Sequence, residues 1–592
     1  MSKIKVTINN NAIEVEQGST ILEAARIVGA HIPTLCHLDL HDIKMVNSVG
    51  TCRVCVVEIE GRRYLAPACS TQCADGMVIH TNSQRAIRAR RTMVELFLSN
   101  HPKDCLVCER NQNCELQALA AELGIREVKY EGAQSHYEKD VSSYSLIRNP
   151  DKCVLCRRCE TMCNKVQTVG VYSAIHRGFS TTIGTAFDNP MLDTCCTFCG
   201  QCVSVCPTGA LTQASSMHAV WDALNNKDKF VIVQTAPAVR VALGEEFGQP
   251  VGTRVTGKMT AALRRLGFDK VYDTDFAADL TIMEEASELI HRLQHGGTLP
   301  ILTSCCPAWV KFIEHQFPEL LDIPSTCKSP HEMFGAIAKT YLAQKLDVDP
   351  SKIVVVSVMP CLAKKYEAAR PEFAPDGIRD VDAVLTTTEF LEMVEMQHVD
   401  VKSIVPISFD EPYSRVSGAG VIFGASGGVA EAALRMAVEK MTGEVRAEHL
   451  DFTDVRGMKG FKHAEVKAGD KTVRVAVISG LGNAEPLIRR VIAGEDTGYD
   501  FVEIMACPGG CVSGAGNPAP TQAGELARRQ AFLFDIDQTS TYRKSQENPD
   551  ILRLYSAFYG EPNSELAHQL LHTTYKKFEH ETVMGPEPEL VG

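Results

Sequence analysis

Apolar, β-branched runs alternate with amphipathic segments from about residue 217 onward. Because a short continuous apolar run is typical of a strand buried on both faces, these runs predict parallel strands. They are KFVIVQTAP, KVYDT, LPILTS, KIVVVSV and VDAVLTT. The segments between them repeat apolar residues at helical spacing, as in TRVTGKMTAALRRLG, DLTIMEEASELIHRLQH and SPHEMFGAIAKTYLAQKL. The alternation predicts two βα lobes with a site between them.

The two ends of the chain follow other patterns. The start, MSKIKVTINNNAIEVEQGS, alternates like strands, and STILEAARIVGA and SQRAIRARRTMVELFLSN after it read as helices. The last segment predicts three helices, LARRQAFLFDIDQ, NPDILRLYSAFYG and SELAHQLLHTTYKKFEH, whose apolar residues form a packing face. The pattern divides the chain into domains at 1–82, 83–140, 141–216, 217–520 and 521–592. We expect a multidomain α/β and α+β protein with a helical C-terminal tail.

Composition narrows the class of protein. A chain of 592 residues allows several domains, since single cores rarely grow beyond about 300 residues. Its longest apolar runs fall well short of the roughly 18 residues that span a membrane. The first residues lack an apolar signal core and an early twin arginine, so we expect a cytoplasmic protein. The formal charge of −13 disfavours a nucleic-acid surface and suits basic electron-transfer partners.

The 23 cysteines lie in tight clusters, which favours metal binding over a disulfide framework. The first cluster has the spacing C-x15-C-x2-C-x13-C and consists of Cys36, Cys52, Cys55 and Cys69. The second has the spacing H-x3-C-x2-C-x5-C and consists of His101, Cys105, Cys108 and Cys114. On spacing alone, zinc remains an alternative to iron-sulfur clusters at both sites. Cys73 has no place in either pattern.

An internal repeat follows, CVLCRRCETMC and CTFCGQCVSVCP. The repeat is the two-cluster bacterial ferredoxin motif, in which the fourth cysteine of each run binds the other cluster. One 4Fe-4S cluster is therefore assigned to Cys153, Cys156, Cys159 and Cys206. The second is assigned to Cys196, Cys199, Cys202 and Cys163. Cys195 lies one residue before the second run and is spare.

Four further cysteines each follow an apolar run in the α/β region. They are Cys306 in TSCCPAW, Cys361 in MPCLAKKYE, and Cys507 and Cys511 in MACPGGCVSGAGNP. In an α/β fold the carboxyl ends of parallel strands form one crevice, so we expect the four thiolates to converge there. Four thiolates suit either zinc or an iron-sulfur cluster.

The sequence motifs around these cysteines decide between zinc and an iron-sulfur cluster. Their order and composition resemble the three signatures of iron-only (FeFe) hydrogenases. The resemblance implies an H-cluster, a 4Fe-4S cubane on these four cysteines with Cys511 bridging to a two-iron subsite that carries CO, CN and a dithiolate. It further implies that Lys364 contacts a cyanide ligand and that Met359, Ala236 and Pro237 line the cofactor. Three positions depart from the family pattern: GAGNP after Cys511, His331 in place of glutamine, and Cys327 at a small-residue position.

The N-terminal modules resemble the electron-entry domains of complex I and of multi-cluster hydrogenases. This implies a 2Fe-2S cluster on a β-grasp domain and a His-ligated 4Fe-4S cluster in a small helical domain. The tail resembles the small subunit that two-chain hydrogenases carry separately. The full complement is then an H-cluster, three further 4Fe-4S clusters and one 2Fe-2S cluster.

A hydrogenase must also move protons. Glu285, Glu288 and Arg292 are three and four residues apart and share one helix face, which is ordinarily a solvated stripe. The family resemblance implies instead a proton relay in the order Cys305, Glu285, Ser325, Glu288, Arg292. Partly buried carboxyls with raised pKa values suit this role.

The function predicted is reversible conversion of dihydrogen to protons and electrons, which pass to NAD(P)-reducing flavoprotein partner subunits. A stand-alone ferredoxin-linked hydrogenase is an alternative, since the resemblance implies that the same arrangement of modules occurs in both types. No nucleotide-binding G-x-G-x-x-G follows a strand in this chain, so any NAD(P) would bind to a partner. A non-catalytic electron-transfer subunit like the large iron-sulfur subunit of complex I leaves TSCCPAW and its two companion motifs unexplained. An iron-sulfur assembly or sensory protein is disfavoured by Cys305, Lys364, Glu285 and Glu288.

Overall fold

The computed structural model of the chain describes residues 2–43, 45–250, 253–444, 450–469, 471–520 and 523–578. Over these ranges the protein is a mixed α/β multidomain chain, and none of its helices combines the length and the apolar character that a membrane crossing requires. The helices and strands predicted from the N-terminal, central and tail patterns each have a counterpart, with the differences given below.

The N-terminal segment folds into a mixed five-stranded sheet. Its strands, in spatial order, are Asn11–Glu16, Lys3–Ile8, Met77–His80, Val56–Ile59 and Ala66–Pro67. The first helix, Ile21–Ile27, begins at a capping box in which the Thr20 side chain accepts from Glu23 N. The next helix, Gln84–Asn100, is fastened to the sheet because the buried Arg90 donates to Val56 O and Thr81 O.

The internal repeat is visible in the backbone of residues 146–213. Leu155 and Phe198, at equivalent positions of the two runs, both have positive φ (52° and 55°). Arg157 and Gly200 are the next equivalent pair with positive φ, and each precedes a short helix. The elements are the strands Leu146–Arg148, Ser173–Ile175, Thr182–Gly184 and Leu211–Gln213 and the helices Arg158–Thr161 and Gln201–Ser204.

Two four-stranded sheets form the centre of the C-terminal half. The first large sheet is wholly parallel, with the strands Lys270–Asp273, Phe230–Thr235, Ile353–Met359 and Ala383–Thr386 in spatial order. The second large sheet has the order Ile301–Leu302, Phe501–Met505, Lys471–Ser479 and Phe461–Ala468, and only its last strand is antiparallel. The strands predicted from apolar runs lie in these sheets, where both faces are covered.

Helices cover both large sheets. The longest, Thr274–His295, is buried along its first half and packs against Pro330–Ile337 and Gly428–Thr442. The others before the tail are Met217–Asn225, Val239–Glu246, Thr256–Leu266, Pro307–Gln316, Ala343–Leu346, Ala363–Ala368, Thr387–Met396, Gly418–Val421 and Leu481–Ile492. This packing places the carboxyl ends of strands from both sheets around one interior space.

The tail contains the helices Glu525–Gln538, Pro549–Leu554 and Glu565–Leu571. The third predicted helix is shorter than its sequence pattern, which runs to position 580, and positions 579 and 580 lie outside the described residues. After Leu571 the chain is extended: His572 forms a β-bridge with Cys327, and Thr573 N donates to Thr326 O at 2.7 Å. Backbone pairing with residues 326–328 replaces the helical hydrogen bonds here.

Candidate functional site

Four cysteines from the carboxyl ends of parallel strands line one apolar cavity. Cys361 lies two residues beyond Ile353–Met359, and Cys507 lies two residues beyond Phe501–Met505. Cys306 follows the strand Ile301–Leu302, and Cys511 lies on the loop that Cys507 begins. All four thiols border the same space, as the strand-end argument predicted.

The loop between the last two cysteines is shaped by glycine. Gly509 and Gly510 have φ values of 80° and 97°, which side chains rarely adopt. A Cβ on Gly510 would lie 2.4 Å from Ser426 N, so the backbone itself forms the wall of the cavity there. The CPGGC motif therefore brings Cys507 and Cys511 to the same space through a turn that tolerates no larger residue.

The four thiols influence one another electrostatically. Burial raises the pKa of Cys361, and the charges of Cys306 and Cys511 raise it further. Burial likewise raises the pKa of Cys507 well above its ordinary value, with added repulsion from the other three. Four thiolates in one dry cavity require a cation among them, so this donor set fits a metal cluster.

The cavity wall contains the other positions expected from the sequence. Met359, Ala236, Pro237, Lys364 and Cys305 all border it, and His331 and Phe423 do so as well.

Lys364 is held by three acceptors. Its Nζ donates to Glu367 Oε2 at 2.6 Å, to Ser329 Oγ at 2.8 Å and to Cys305 O at 3.3 Å. Burial lowers the pKa of Lys364, but the Glu367 carboxylate more than offsets this, so the net pKa is raised and the ammonium stays charged. Glu367 was missed by sequence reasoning, although its position three residues after Lys364 on a predicted helix is a signal for an ion pair.

His331 belongs to the same network. Its Nδ1 lies 3.0 Å from Glu367 Oε2 and its Nε2 lies 2.8 Å from Ser357 Oγ. The Glu332 carboxylate also lies 2.9 Å from His331 Nδ1. Burial lowers the pKa of His331, yet these two carboxylates raise it overall. The residue that departs from the family pattern is thus a buried base in the cavity wall.

The structure brings the expected relay residues close to one another. Burial raises the pKa of the Cys305 thiol, and the charge of Glu285 raises it further. Burial and the charge of Glu288 raise the pKa of Glu285 to about 8, against the lowering effect of a hydrogen bond with Ser325. Ser325 Oγ donates to Glu288 Oε2 at 3.0 Å. Glu288 forms an ion pair with Arg292, which is part-exposed, so the series leads from the cavity to the surface.

The ferredoxin-like repeat brings its cysteines together in two crossed groups. Burial raises the pKa values of Cys153, Cys156 and Cys159, and the charge of Cys206 adds to this effect. All four cysteines line one pocket. In the second group, burial raises the pKa of Cys196, and the Cys163 charge adds to it together with those of Cys199 and Cys202. The crossed arrangement is the one expected from the motif.

The N-terminal cysteines form a third group. Cys36 N lies 3.4 Å from Cys52 Sγ, and the Cys36 thiol contacts those of Cys52 and Cys69. Burial raises the pKa of Cys73, which lies outside this group with its N–H donated to Ser19 O. The four grouped thiols are buried, which fits a cluster shielded from water.

The histidine-containing set lies at the edge of the protein. Burial lowers the pKa of His101, which keeps the imidazole neutral and able to bind a metal. Burial raises the pKa of Cys114, and the charge of Cys108 adds to this effect, so these two thiols are neighbours. Cys105 begins a short turn, Cys105–Val107, whose Leu106 and Val107 are 90% and 82% exposed.

Sequence comparison decides between the possible occupants of the central cavity. The family model described as iron only hydrogenase large subunit, C-terminal domain, matches residues 229–515, and iron hydrogenase small subunit matches 523–577. The chain is 56% identical to the NADP-reducing hydrogenase subunit HndD of Solidesulfovibrio fructosivorans, over 98% of this chain and 99% of that one. The chain belongs to the iron-only (FeFe) hydrogenases. It is a hydrogenase enzyme with the catalytic domain of that family.

Other comparisons agree with this membership. The chain is 39% identical to iron hydrogenase 1 of Clostridium pasteurianum, over 97% of this chain and 100% of that protein. A solved apo FeFe hydrogenase from Chlamydomonas reinhardtii superposes with a TM-score of 0.56 at 41% identity, covering 62% of this chain and 99% of that one. Further family models describe a 2Fe-2S binding domain at 1–84, an NADH-ubiquinone oxidoreductase-G iron-sulfur binding region at 90–129 and a 4Fe-4S binding domain at 193–212.

Proposed function

We propose that this hydrogenase passes electrons from dihydrogen to NADP through flavoprotein partner subunits in a cytoplasmic hetero-oligomer. The observation that carries the proposal is the full-length similarity to an NADP-reducing hydrogenase subunit. The N-terminal modules support it, because the region at 90–129 matches one from an NADH-linked oxidoreductase. Since a nucleotide-binding motif is missing from the sequence, NADP binds to a partner.

The proposed cofactors follow the cysteine groups. The H-cluster is held by Cys306, Cys361, Cys507 and Cys511, and when bound it supplies the iron chemistry that splits dihydrogen. The two groups of the repeat hold one 4Fe-4S cluster each, and His101 with its three cysteines holds another. The 2Fe-2S cluster lies in the N-terminal domain, whose mixed sheet and single helix suit a β-grasp fold. The domain boundaries at 82, 140, 216 and 520 separate these units.

Some residues around the cavity exchange protons, and Lys364 contributes a fixed charge. Cys305 takes or gives a proton at its Sγ, and Glu285 exchanges it at a carboxyl whose pKa of about 8 lies near working pH. Ser325 connects Glu285 to Glu288 through its hydroxyl, and Arg292 ends the series at the surface. Lys364 presents a fixed positive charge that Glu367 orients.

Electrons leave through the cluster sites of the repeat, toward the N-terminal modules. Gln201, on the helix that carries Cys202, donates to Cys507 Sγ at 3.3 Å and to Ser513 O at 3.0 Å. This side chain fastens the loop of one proposed 4Fe-4S cluster directly to a ligand of the H-cluster. A short, rigid connection of this kind is what electron transfer between the two sites requires.

The test is anaerobic purification of the tagged chain from its native host. We expect co-purified flavin-containing subunits, infrared bands of iron-bound CO and CN that shift under dihydrogen, and dihydrogen-dependent NADP reduction. Purification of a single chain that reduces ferredoxin but not NADP would contradict the partner proposal and favour the stand-alone alternative. Absence of the CO and CN bands in active material would contradict the proposed cofactor.

A further inference from the structure

A fully buried lysine lies in an aromatic cage beside one of the proposed cluster sites. Lys311 has 0% exposure, and its Nζ lies 4.9 Å from the ring centroid of Phe198, 4.8 Å from that of Tyr366 and 3.7 Å from that of Phe578. Its hydrogen bond goes to His315 Nε2 at 2.9 Å. Three ring faces around one ammonium make a favourable site for a cation.

The described residues place no carboxylate within ion-pairing distance of this ammonium. The nearest acid on its own helix, Glu314, accepts two bonds from Arg370 at 2.6 and 2.9 Å. The other described residues of the cage are three aromatic rings and an imidazole. A buried ammonium is costly without a negative charge near it.

The position of the cage indicates the source. Phe198 lies between Cys196 and Cys199 in the second ferredoxin run and is itself fully buried. Lys311 lies on the helix that begins directly after Cys306, and Tyr366 follows Cys361 on the neighbouring helix. The ammonium thus lies beside the thiols of one proposed 4Fe-4S cluster, on a helix that begins directly after a proposed ligand of the H-cluster.

We propose that Lys311 is an electrostatic positioning residue for electron transfer, whose charge stabilises the reduced form of the cluster held by Cys163, Cys196, Cys199 and Cys202. This inference rests on the proposed ligand set of that cluster. When dihydrogen is oxidised, the cluster accepts one electron and becomes more negative, and an adjacent fixed positive charge favours that state. The reduction potential is therefore raised, which draws electrons away from the H-cluster.

The electrostatics of the lysine agree with this reading. Burial lowers its pKa to about 8, and the Cys196 thiolate is the largest influence in the opposite direction. The negative charge of the proposed cluster thus favours the ammonium that the cage accommodates. Phe578, from the tail, closes the cage on the remaining side and packs against His315 with ring centroids 3.9 Å apart.

The test is a redox titration of the full-length, cluster-loaded protein followed by electron paramagnetic resonance. In Lys311→Met we expect the ratio of reduced to oxidised cluster to fall about tenfold at the wild-type midpoint, a shift of about 59 mV for one electron. Lys311→Arg keeps the charge and should stay within about threefold of wild type. Phe578→Ala admits water, which screens the charge, so a smaller shift in the same direction is expected.

Two further variants make the outcome specific. Cys196→Ser identifies the signal that belongs to this cluster; if no signal changes, the ligand set is wrong rather than the role of Lys311. Lys339→Met is the matched control. Lys339 is also buried, but it donates to Ile353 O and forms an ion pair with Asp382 instead of lying beside a proposed cluster. An unchanged midpoint in Lys311→Met, or an equal shift of the 2Fe-2S signal, would overturn the proposal.

Discussion

Replacing Glu285 with glutamine tests the proton relay most directly. Glu285 is 1% exposed and lies between Cys305 and Ser325 in the series described above. Glutamine keeps the shape and the hydrogen bonds of the side chain but cannot exchange a proton. We expect turnover to fall by about 10² to 10⁴, the usual contribution of a positioned acid or base.

The raised pKa gives the pH dependence of this effect. The difference between the ordinary value of 4.5 and about 8 corresponds to about 5 kcal/mol favouring the protonated carboxyl in the folded protein. That contribution to stability is fully present below pH 4.5 and is lost as the pH rises through about 8. Dihydrogen oxidation needs the carboxylate as proton acceptor, so its rate should rise toward pH 8 and then level off. Proton reduction should fall above that pH.

The assay measures dye-linked dihydrogen oxidation and proton reduction from pH 6 to 9, with infrared spectra to confirm intact cofactor. Asp279→Asn is the matched control, because Asp279 is a buried carboxyl on the same helix whose oxygens accept from Ser417, Ser545 and Asn548 instead. It should lower stability and leave the pH profile of turnover unchanged. A Glu285→Gln enzyme within twofold of wild type, or one that keeps the rise toward pH 8, would refute the relay.

Two other pairs of substitutions, each a test with its control, have defined outcomes. Cys36→Ser should abolish the 2Fe-2S resonance signal and NADP reduction while dye-linked activity persists. Cys73→Ser should leave the resonance signal and NADP reduction unchanged. Loss of dye-linked activity in Cys36→Ser would contradict a role of the 2Fe-2S cluster in passing electrons to or from partner proteins. Gly427→Ala should destabilise the protein by about 2 to 4 kcal/mol in denaturant unfolding, because φ is +100° and the new Cβ would lie 1.9 Å from Val455 O. Gly427 and Gly443 flank the helix Gly428–Thr442 at its two ends. Gly443→Ala, where a new Cβ would meet open space, should cost about 1 kcal/mol.

The features that local sequence could predict are those with a short repeat. The strand runs and the cysteine spacings needed only a few neighbouring residues, and the crossed groups of the repeat followed from one motif. The convergence of Cys306, Cys361, Cys507 and Cys511 followed from one topological rule about strand ends. The family resemblance added roles to residues such as Cys305, whose chemistry no spacing shows.

The features that could not be predicted depend on contacts distant in sequence. The cage of Lys311 joins residues 198, 311, 366 and 578, and no periodicity links them. His331 was noticed only as a departure from a pattern, and its contact with Glu367 required the folded helix packing. The end of the third tail helix at Leu571 was also missed, because pairing with Cys327 outweighs the helical preference of the following residues.

That last difference bears on proton transfer. The extended segment after Leu571 covers the relay: Tyr575 donates its hydroxyl to Ser325 O at 2.6 Å, and Thr326 Oγ1 lies 2.8 Å from His572 Nδ1. Because burial is the main cause of the raised pKa of Glu285, whatever excludes water from this side maintains it. A helix at these positions could not pair its backbone with residues 326–328. In the proposed relay the extended end of the tail is therefore a cover for the proton route as well as a packing element.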